Sequence, residues 1–122
     1  MAVNPRGKDA EDLAASYLRG QGYRILERNY RCVLGEMDIV ARDGPVLVFL
    51  EVKSRRTSRF GTPQESVGPA KQRKLSRIAL CFLKEKRLQD VAVRFDVLGI
   101  WMAPEGPRFE LIRNAFDLKW GW

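Results

Sequence analysis

An aspartate, a glutamate and a lysine lie in two neighbouring segments that have the composition of β-strands. Asp38 belongs to residues 35–40, and Glu51 and Lys53 belong to residues 49–53. Strand residues two apart share a face, so the side chains of Glu51 and Lys53 point the same way. Carboxylates are the ligands that hard divalent cations prefer. These residues could therefore bind a shared metal ion and support hydrolytic chemistry.

The turn between the two segments decides how Asp38 is placed, and the sequence puts this turn at residues 43–45, Asp-Gly-Pro. A two-residue loop at residues 43–44 would pair Asp38 with Phe49 and leave it one diagonal step from Glu51. A four-residue loop would place Asp38 directly opposite Glu51. Both loops put the two carboxylates on one face, whereas an odd loop without a bulge separates them.

The charges stand at the end of an unusually apolar strand. Residues 46–52 are apolar at nearly every position, which indicates a central strand covered on both faces. Charged groups at its end cost desolvation free energy unless they are paired or bind an ion. A Glu51–Lys53 ion pair, with Asp38 merely beginning its own strand, is the alternative to a metal site.

Composition narrows the classes of function. The chain has 122 residues, which suits one compact domain spanning residues 1–122. Its 22 Lys and Arg residues against 15 Asp and Glu residues give a net charge of +7. Such an excess of positive charge favours a polyanionic partner, of which nucleic acid is the commonest. The alternative is a basic surface without a ligand.

The absence of histidine excludes several catalytic designs. Nucleases with a histidine base, Ser-His-Asp hydrolases and His-ligated zinc sites all require it. Cys32 and Cys81 are far apart in the sequence, and we expect them to be reduced core residues rather than zinc ligands. No long apolar run predicts a signal peptide or membrane span, so we expect a cytoplasmic protein without membrane attachment.

Hydrophobic periodicity predicts an α/β domain with helices packed on a mixed sheet of about five strands. The predicted order is a helix at 8–19, a strand at 23–30, the hairpin, a helix at 69–87, a strand at 91–101 and a short strand at 109–112. Glu11 borders the apolar stripe of the first helix, where it would also favour the helix dipole.

Basic residues follow the candidate site directly. A polar loop at residues 54–68 and the outer face of the second helix offer positive charge beside the carboxylates, as a phosphate backbone would need. A solvated surface is the alternative. The candidate nucleic-acid-binding residues are Arg55, Arg56, Arg59, Lys71, Arg73 and Lys74.

Together these residues resemble a known pattern. Glu11 on a first helix, Asp38 on a second strand and residues 51–53, Glu-Val-Lys, on a third are similar to the PD-(D/E)xK nuclease superfamily, and within it to the archaeal Holliday-junction resolvases. The chain resembles most closely the YraN family of small bacterial endonuclease-like proteins. The resemblance spans roughly residues 7–116 and implies a restriction-endonuclease-like core.

The resemblance also implies roles for individual residues. Asp38 and Glu51 would hold Mg²⁺ or Mn²⁺, with the Val52 carbonyl as a third ligand. Lys53 would orient or help deprotonate the attacking water and offset charge on the phosphate. Glu11 would extend the acidic cluster, directly or through a water. Further polar candidates are Glu36 and Gln64.

The implied substrate is nucleic acid, with DNA favoured over RNA and branched DNA as the implied shape. Cutting two strands of a junction would require two active sites, which a symmetric homodimer provides. The competing hypothesis is a nucleic-acid-binding module that retains the fold without catalysis. A protein-interaction domain is a third hypothesis.

Overall fold

The computed structural model describes residues 8–55 and 67–119, which form two helices and five strands. In chain order these are α1 (Lys8–Gly20), β1 (Arg24–Cys32), β2 (Gly35–Asp43), β3 (Val46–Arg55), α2 (Pro69–Glu85), β4 (Val93–Ala103) and β5 (Gly106–Phe116). No helix in this described part of the chain combines the length and the apolar character needed to cross a membrane. The predicted α/β class is confirmed, and the architecture is consistent with a restriction-endonuclease-like core.

The five strands form one mixed sheet in the order β1-β2-β3-β4-β5. Neighbouring strands are antiparallel except β3 and β4, which run parallel on either side of the α2 connection. Strand β3 is therefore central, and Leu47 to Leu50 are all buried. This confirms the expectation that the apolar run of residues 46–52 is covered on both faces.

Each face of the sheet carries one helix and one hydrophobic cluster. On the first face, Ala14 and Leu18 of α1 pack against Ile39 and Leu50. The cluster on the second face is built around α2 and includes Phe49, Phe95, Leu75, Ile78 and Phe82. The buried helical residues recur at the spacing predicted for amphipathic helices.

The β2–β3 hairpin has a two-residue loop that lies one residue later than the first of the two alternatives, the loop at residues 43–44. The closing pair is Asp43↔Val46, so Gly44 and Pro45 form the loop. Gly44 has φ = +59° at the first loop position, a conformation that favours glycine. The alternative in which Asp38 pairs with Phe49 is excluded, because Phe49 pairs with Val40. The register is instead the one expected from the four-residue alternative.

The last strand is longer than predicted. Strand β5 spans Gly106–Phe116, whereas periodicity indicated a strand only at residues 109–112. It pairs with β4 from Ala103↔Gly106 to Phe95↔Phe116, with an irregularity between Phe95 and Val97. That irregularity interrupts the two-residue alternation, so the pattern beyond it was hidden in the sequence.

Candidate active site

Asp38 and Glu51 stand where the ladder between β2 and β3 stops. The last paired residues are Ile39↔Leu50, and continuing this register by one step brings Asp38 opposite Glu51. The backbone N–H of Val52 donates to Asp38 Oδ2 over 2.7 Å. The Asp38 carboxylate thus binds a β3 backbone donor directly and is fixed between the two strands.

The alternation of β2 side chains between the two faces of the sheet is broken at Asp38. Ile39 packs in the cluster on the α1 face, whereas Met37 packs in the cluster on the α2 face. Residues two apart share a face in a regular strand, so the alternation is broken between them. Opposite Asp38 on β1 stands Asn29, with φ = +54°.

The two carboxyl groups hydrogen-bond to each other and share a proton. Burial, followed by the hydrogen bond to Glu51 and its charge, raises the pKa of Asp38 to about 8, although the Val52 N–H opposes this. Burial also tends to raise the pKa of Glu51, but the Asp38 hydrogen bond and the charges of Lys71 and Lys53 outweigh it and hold this pKa below its ordinary value. At neutral pH the pair therefore carries one proton, on Asp38, and one negative charge.

Glu51 is paired with a lysine from α2 rather than only with the lysine of its own strand. Lys71 Nζ lies 3.2 Å from Glu51 Oε2. That oxygen is buried and accepts no hydrogen bond of good geometry. Lys53 contributes a second nearby positive charge. Lys71, predicted as a nucleic-acid contact, thus faces the carboxyl pair.

The Glu11 carboxylate accepts a hydrogen bond from a β1 side chain. Asn29 Nδ2 donates to Glu11 Oε2 over 2.8 Å, and Arg28 approaches the same oxygen at 3.9 Å. In the described ranges 8–55 and 67–119, no three or more His, Cys, Asp or Glu residues are grouped so that they could hold a metal. The structure therefore brings Asp38 and Glu51 together. Glu11 is connected to them through Asn29, which lies opposite Asp38 on β1.

Asn29 was not among the predicted site residues. Its Oδ1 is buried without a hydrogen-bond partner, while its amide donates to Glu11. The amide turns its NH₂ group toward Glu11, because the opposite orientation would bring its oxygen against the carboxylate. The sequence did carry a signal for Asn29, since asparagine is depleted in strands. Asparagine tolerates a positive φ better than most residues, so its presence in a strand indicates an irregular backbone position.

The structure describes some of the predicted basic residues but not all of them. Arg55 ends β3 and is half-buried, whereas Arg73 and Lys74 are exposed on α2. Lys74 passes so close to Gly35 that a Cβ there would meet its Cε at 2.9 Å. Glu36 is exposed and paired with Arg31 at 3.3 Å. The remaining predicted residues, Arg56, Arg59 and Gln64, lie outside the described residues.

The donor set suits a hard divalent cation. Asp38 and Glu51 offer carboxylate oxygens, and the Val52 carbonyl belongs to the same strand step. Glu51 Oε2 accepts no hydrogen bond of good geometry, and the raised pKa of Asp38 keeps a proton on that carboxyl group near neutral pH. A divalent ion replacing that proton would neutralise both groups.

The sequence is similar to a described family and to many of its members. The model of "Uncharacterised protein family UPF0102" matches residues 10–100. A UPF0102 protein of Syntrophus aciditrophicus is 55% identical over 115 residues, covering 94% of this chain and 91% of the relative. UPF0102 protein GSU0650 of Geobacter sulfurreducens is 54% identical, covering 93% and 90%.

One solved structure is similar at a greater distance. "The structure of Pyrococcus Furiosus SfsA in complex with Ca2+" shares 18% sequence identity, with a TM-score of 0.39. The similarity covers 88% of this chain, which spans 60% of that one.

Proposed function

The chain belongs to the UPF0102 family, and from this premise we propose that it is a metal-dependent hydrolase of nucleic-acid phosphodiester bonds. The observation that carries the proposal is the position of Asp38 and Glu51 together at the end of the β2–β3 ladder, where the Val52 N–H anchors Asp38 and Lys71 pairs with Glu51. Paired carboxyl groups whose pKa values are shifted in opposite directions, next to lysines, occur at catalytic sites.

Each residue of the site has a role that its position supports. Asp38 and Glu51 would hold Mg²⁺ or Mn²⁺, with the Val52 carbonyl completing the protein's share of the ligands. Bound there, the ion supplies Lewis-acid polarisation of the phosphate and activation of water. Lys53, on the Glu51 face of β3, would orient the attacking water and stabilise the charge that develops on the phosphate.

Nucleic acid is the substrate class that the charge favours. The net charge of +7 and the exposed Arg73 and Lys74, on the helix that also carries Lys71, provide cations for a phosphate backbone. We favour DNA over RNA and a branched or otherwise structured substrate. A symmetric dimer would place two such sites on two strands.

A second candidate function is nucleic-acid binding without catalysis. It is favoured by the way the protein itself compensates the carboxyl groups, since Lys71 pairs with Glu51 and a proton remains on Asp38. Within residues 8–55 and 67–119, Glu11 does not join Asp38 and Glu51 in a group of three acidic residues that could hold a metal ion. A stable site of this kind could persist in a protein that binds DNA but does not cut it.

Cleavage of labelled DNA separates the two functions. Wild type, Lys53→Ala and the control Lys84→Ala would be incubated with duplex, single-stranded, flap and four-way-junction DNA in Mg²⁺, Mn²⁺ or EDTA. Lys84 is exposed in the last turn of α2, so its replacement removes the same charge away from Glu51. We expect metal-dependent cutting that Lys53→Ala abolishes and Lys84→Ala retains. Intact DNA in every reaction, with DNA binding preserved, would support the binding module instead.

A further inference from the structure

Lys71 occupies a place in α2 that is unfavourable for a cation. The helix begins at Pro69, has no acidic residue in its first turn, and receives no side-chain cap from Gly68. A positive charge at a helix N-terminus opposes the helix dipole. Helix stability does not account for a lysine here, whereas the anion opposite it does.

Glu51 provides only a partial match for that lysine. The ammonium lies 3.2 Å from Glu51 Oε2, but the oxygen accepts no hydrogen bond of good geometry. The glutamate side chain is 9% exposed, whereas that of Lys71 is 42% exposed. The glutamate is thus held in the protein, and the lysine head group can turn into solvent on its flexible stem.

We propose that Lys71 is an exchangeable counter-ion: it neutralises Glu51 in the metal-free protein and moves to a substrate phosphate when a divalent cation binds at Asp38 and Glu51. The inference rests on the proposed metal site. A bound dication and the ammonium would draw on the same carboxylate oxygen and repel each other at a few ångströms. The released ammonium stays tethered beside the site, at the positive end of the α2 dipole, where a phosphate is the complementary anion.

The exchange predicts effects of opposite sign on two ligands. Loss of the Lys71 charge should tighten metal binding, because a competitor of the metal is removed. It should weaken DNA binding only when metal is present, because without metal Lys71 is engaged with Glu51. If Lys71 were an ordinary phosphate-binding lysine, its loss would weaken DNA binding with and without metal. If its role were purely structural, its loss would not tighten metal binding.

The first test measures Mn²⁺ affinity by isothermal titration calorimetry without DNA. Lys71→Met retains the length of the side chain and removes its charge, and Lys84→Met removes an equal charge from the far end of the same helix. We expect Lys71→Met to bind Mn²⁺ several-fold to about tenfold more tightly than wild type, from the removal of a nearby like charge. Lys84→Met should bind as wild type does.

The second test measures DNA affinity against salt concentration. All proteins carry Lys53→Met so that the DNA stays intact, and each is titrated in EDTA and in Mn²⁺. Each phosphate contact contributes about 0.9 to the slope of log affinity against log salt. Lys71→Met should reduce the magnitude of this slope by about 1 in Mn²⁺ and leave it unchanged in EDTA. Lys71→Arg, which retains the charge, should preserve the slope in both and controls for folding.

The outcomes are distinct. A smaller slope for Lys71→Met in EDTA as well would identify a permanent phosphate contact and overturn the exchange. Unchanged Mn²⁺ affinity in Lys71→Met would also overturn it, while leaving the metal site intact. Absence of Mn²⁺ binding by wild type would remove the metal-dependent function itself, and the exchange with it.

Discussion

Asp38 on β2 and Glu51 on β3 hydrogen-bond to each other one step beyond the last paired residues of their two strands. At the end of the ladder, the two strands position the carboxyl groups, although their backbones are no longer paired at that step. Asp38 is anchored by the Val52 N–H, and Glu51 is held from α2 by Lys71. The site therefore depends on three elements, β2, β3 and α2, which follow one another along the chain.

The stability of the metal-free protein should depend on pH through Asp38. Its pKa is raised from 3.8 to about 8 in the folded chain, so the native state binds the proton more tightly than the unfolded chain does. Its contribution to stability is complete below about pH 4 and is lost as pH rises toward 8. Because the chain has no histidine, few other groups titrate between pH 5 and 8. Urea unfolding in EDTA should show a loss of roughly 1 kcal/mol per pH unit in this window, and Asp38→Asn should flatten the profile.

Millimolar Mg²⁺ or Mn²⁺ should raise the melting temperature of wild type. A ligand that binds only the native state at ten times its dissociation constant adds about 1.4 kcal/mol, which corresponds to a shift of several degrees for a domain of this size. The shift should vanish in Glu51→Gln, which removes a proposed ligand. Lys84→Gln should retain it. Melting curves of wild type that do not change with either ion would contradict the metal site.

Asn29 should act on catalysis through Glu11. Asn29→Gly suits the positive φ at this position and removes the hydrogen bond to Glu11. If Glu11 contributes to the reaction through this bond, the losses of kcat/KM in Asn29→Gly and Glu11→Ala should not add in the double variant. Fully additive losses would show that the two residues act separately. Thermal melts of each variant would verify folding.

Asp96 should be needed for stability and not for metal binding. It is fully buried and accepts hydrogen bonds from Tyr23 Oη at 2.6 Å, Arg94 Nε at 2.8 Å and the Asn114 N–H at 2.9 Å. Removal of one partner from a buried charge pair typically costs 3–5 kcal/mol. Denaturant unfolding of Asp96→Ala should show a loss of about that size. Mn²⁺ affinity measured below the melting temperature should be unchanged, and a loss of affinity would place Asp96 in the site.

The sequence contained enough to predict the pairing of Asp38 with Glu51 but not how it is achieved. Alternation along β3 placed Glu51 on one face, and either even loop brought Asp38 to it. The register depended on whether the positive φ falls at the first or second loop position, and the structure puts it at Gly44. Hydrophobic periodicity could not reveal the position of the loop, because Gly44 and its neighbours show no preference for either face of the sheet.

Lys71 was predicted as a nucleic-acid contact but not as a partner of Glu51, and Asn29 was not predicted at all. Lys71 belongs to a helix whose basic face resembles any solvated surface, and its contact with Glu51 arises only when α2 docks on the sheet. Asn29 lies at an irregular position in β1, where the backbone departs from the two-residue period. Both depend on tertiary geometry that a local pattern does not encode.

The parallel pairing of β3 with β4 has a consequence for the order of folding. The antiparallel strands β1, β2 and β3 connect through short turns, whereas β4 can join β3 only after the chain through α2 has closed a long loop. Local contacts form with a smaller entropic barrier than distant ones. We therefore expect the nascent β2–β3 hairpin to bring Asp38 and Glu51 together before α2 docks, so that Lys53 offsets their charge before Lys71 does.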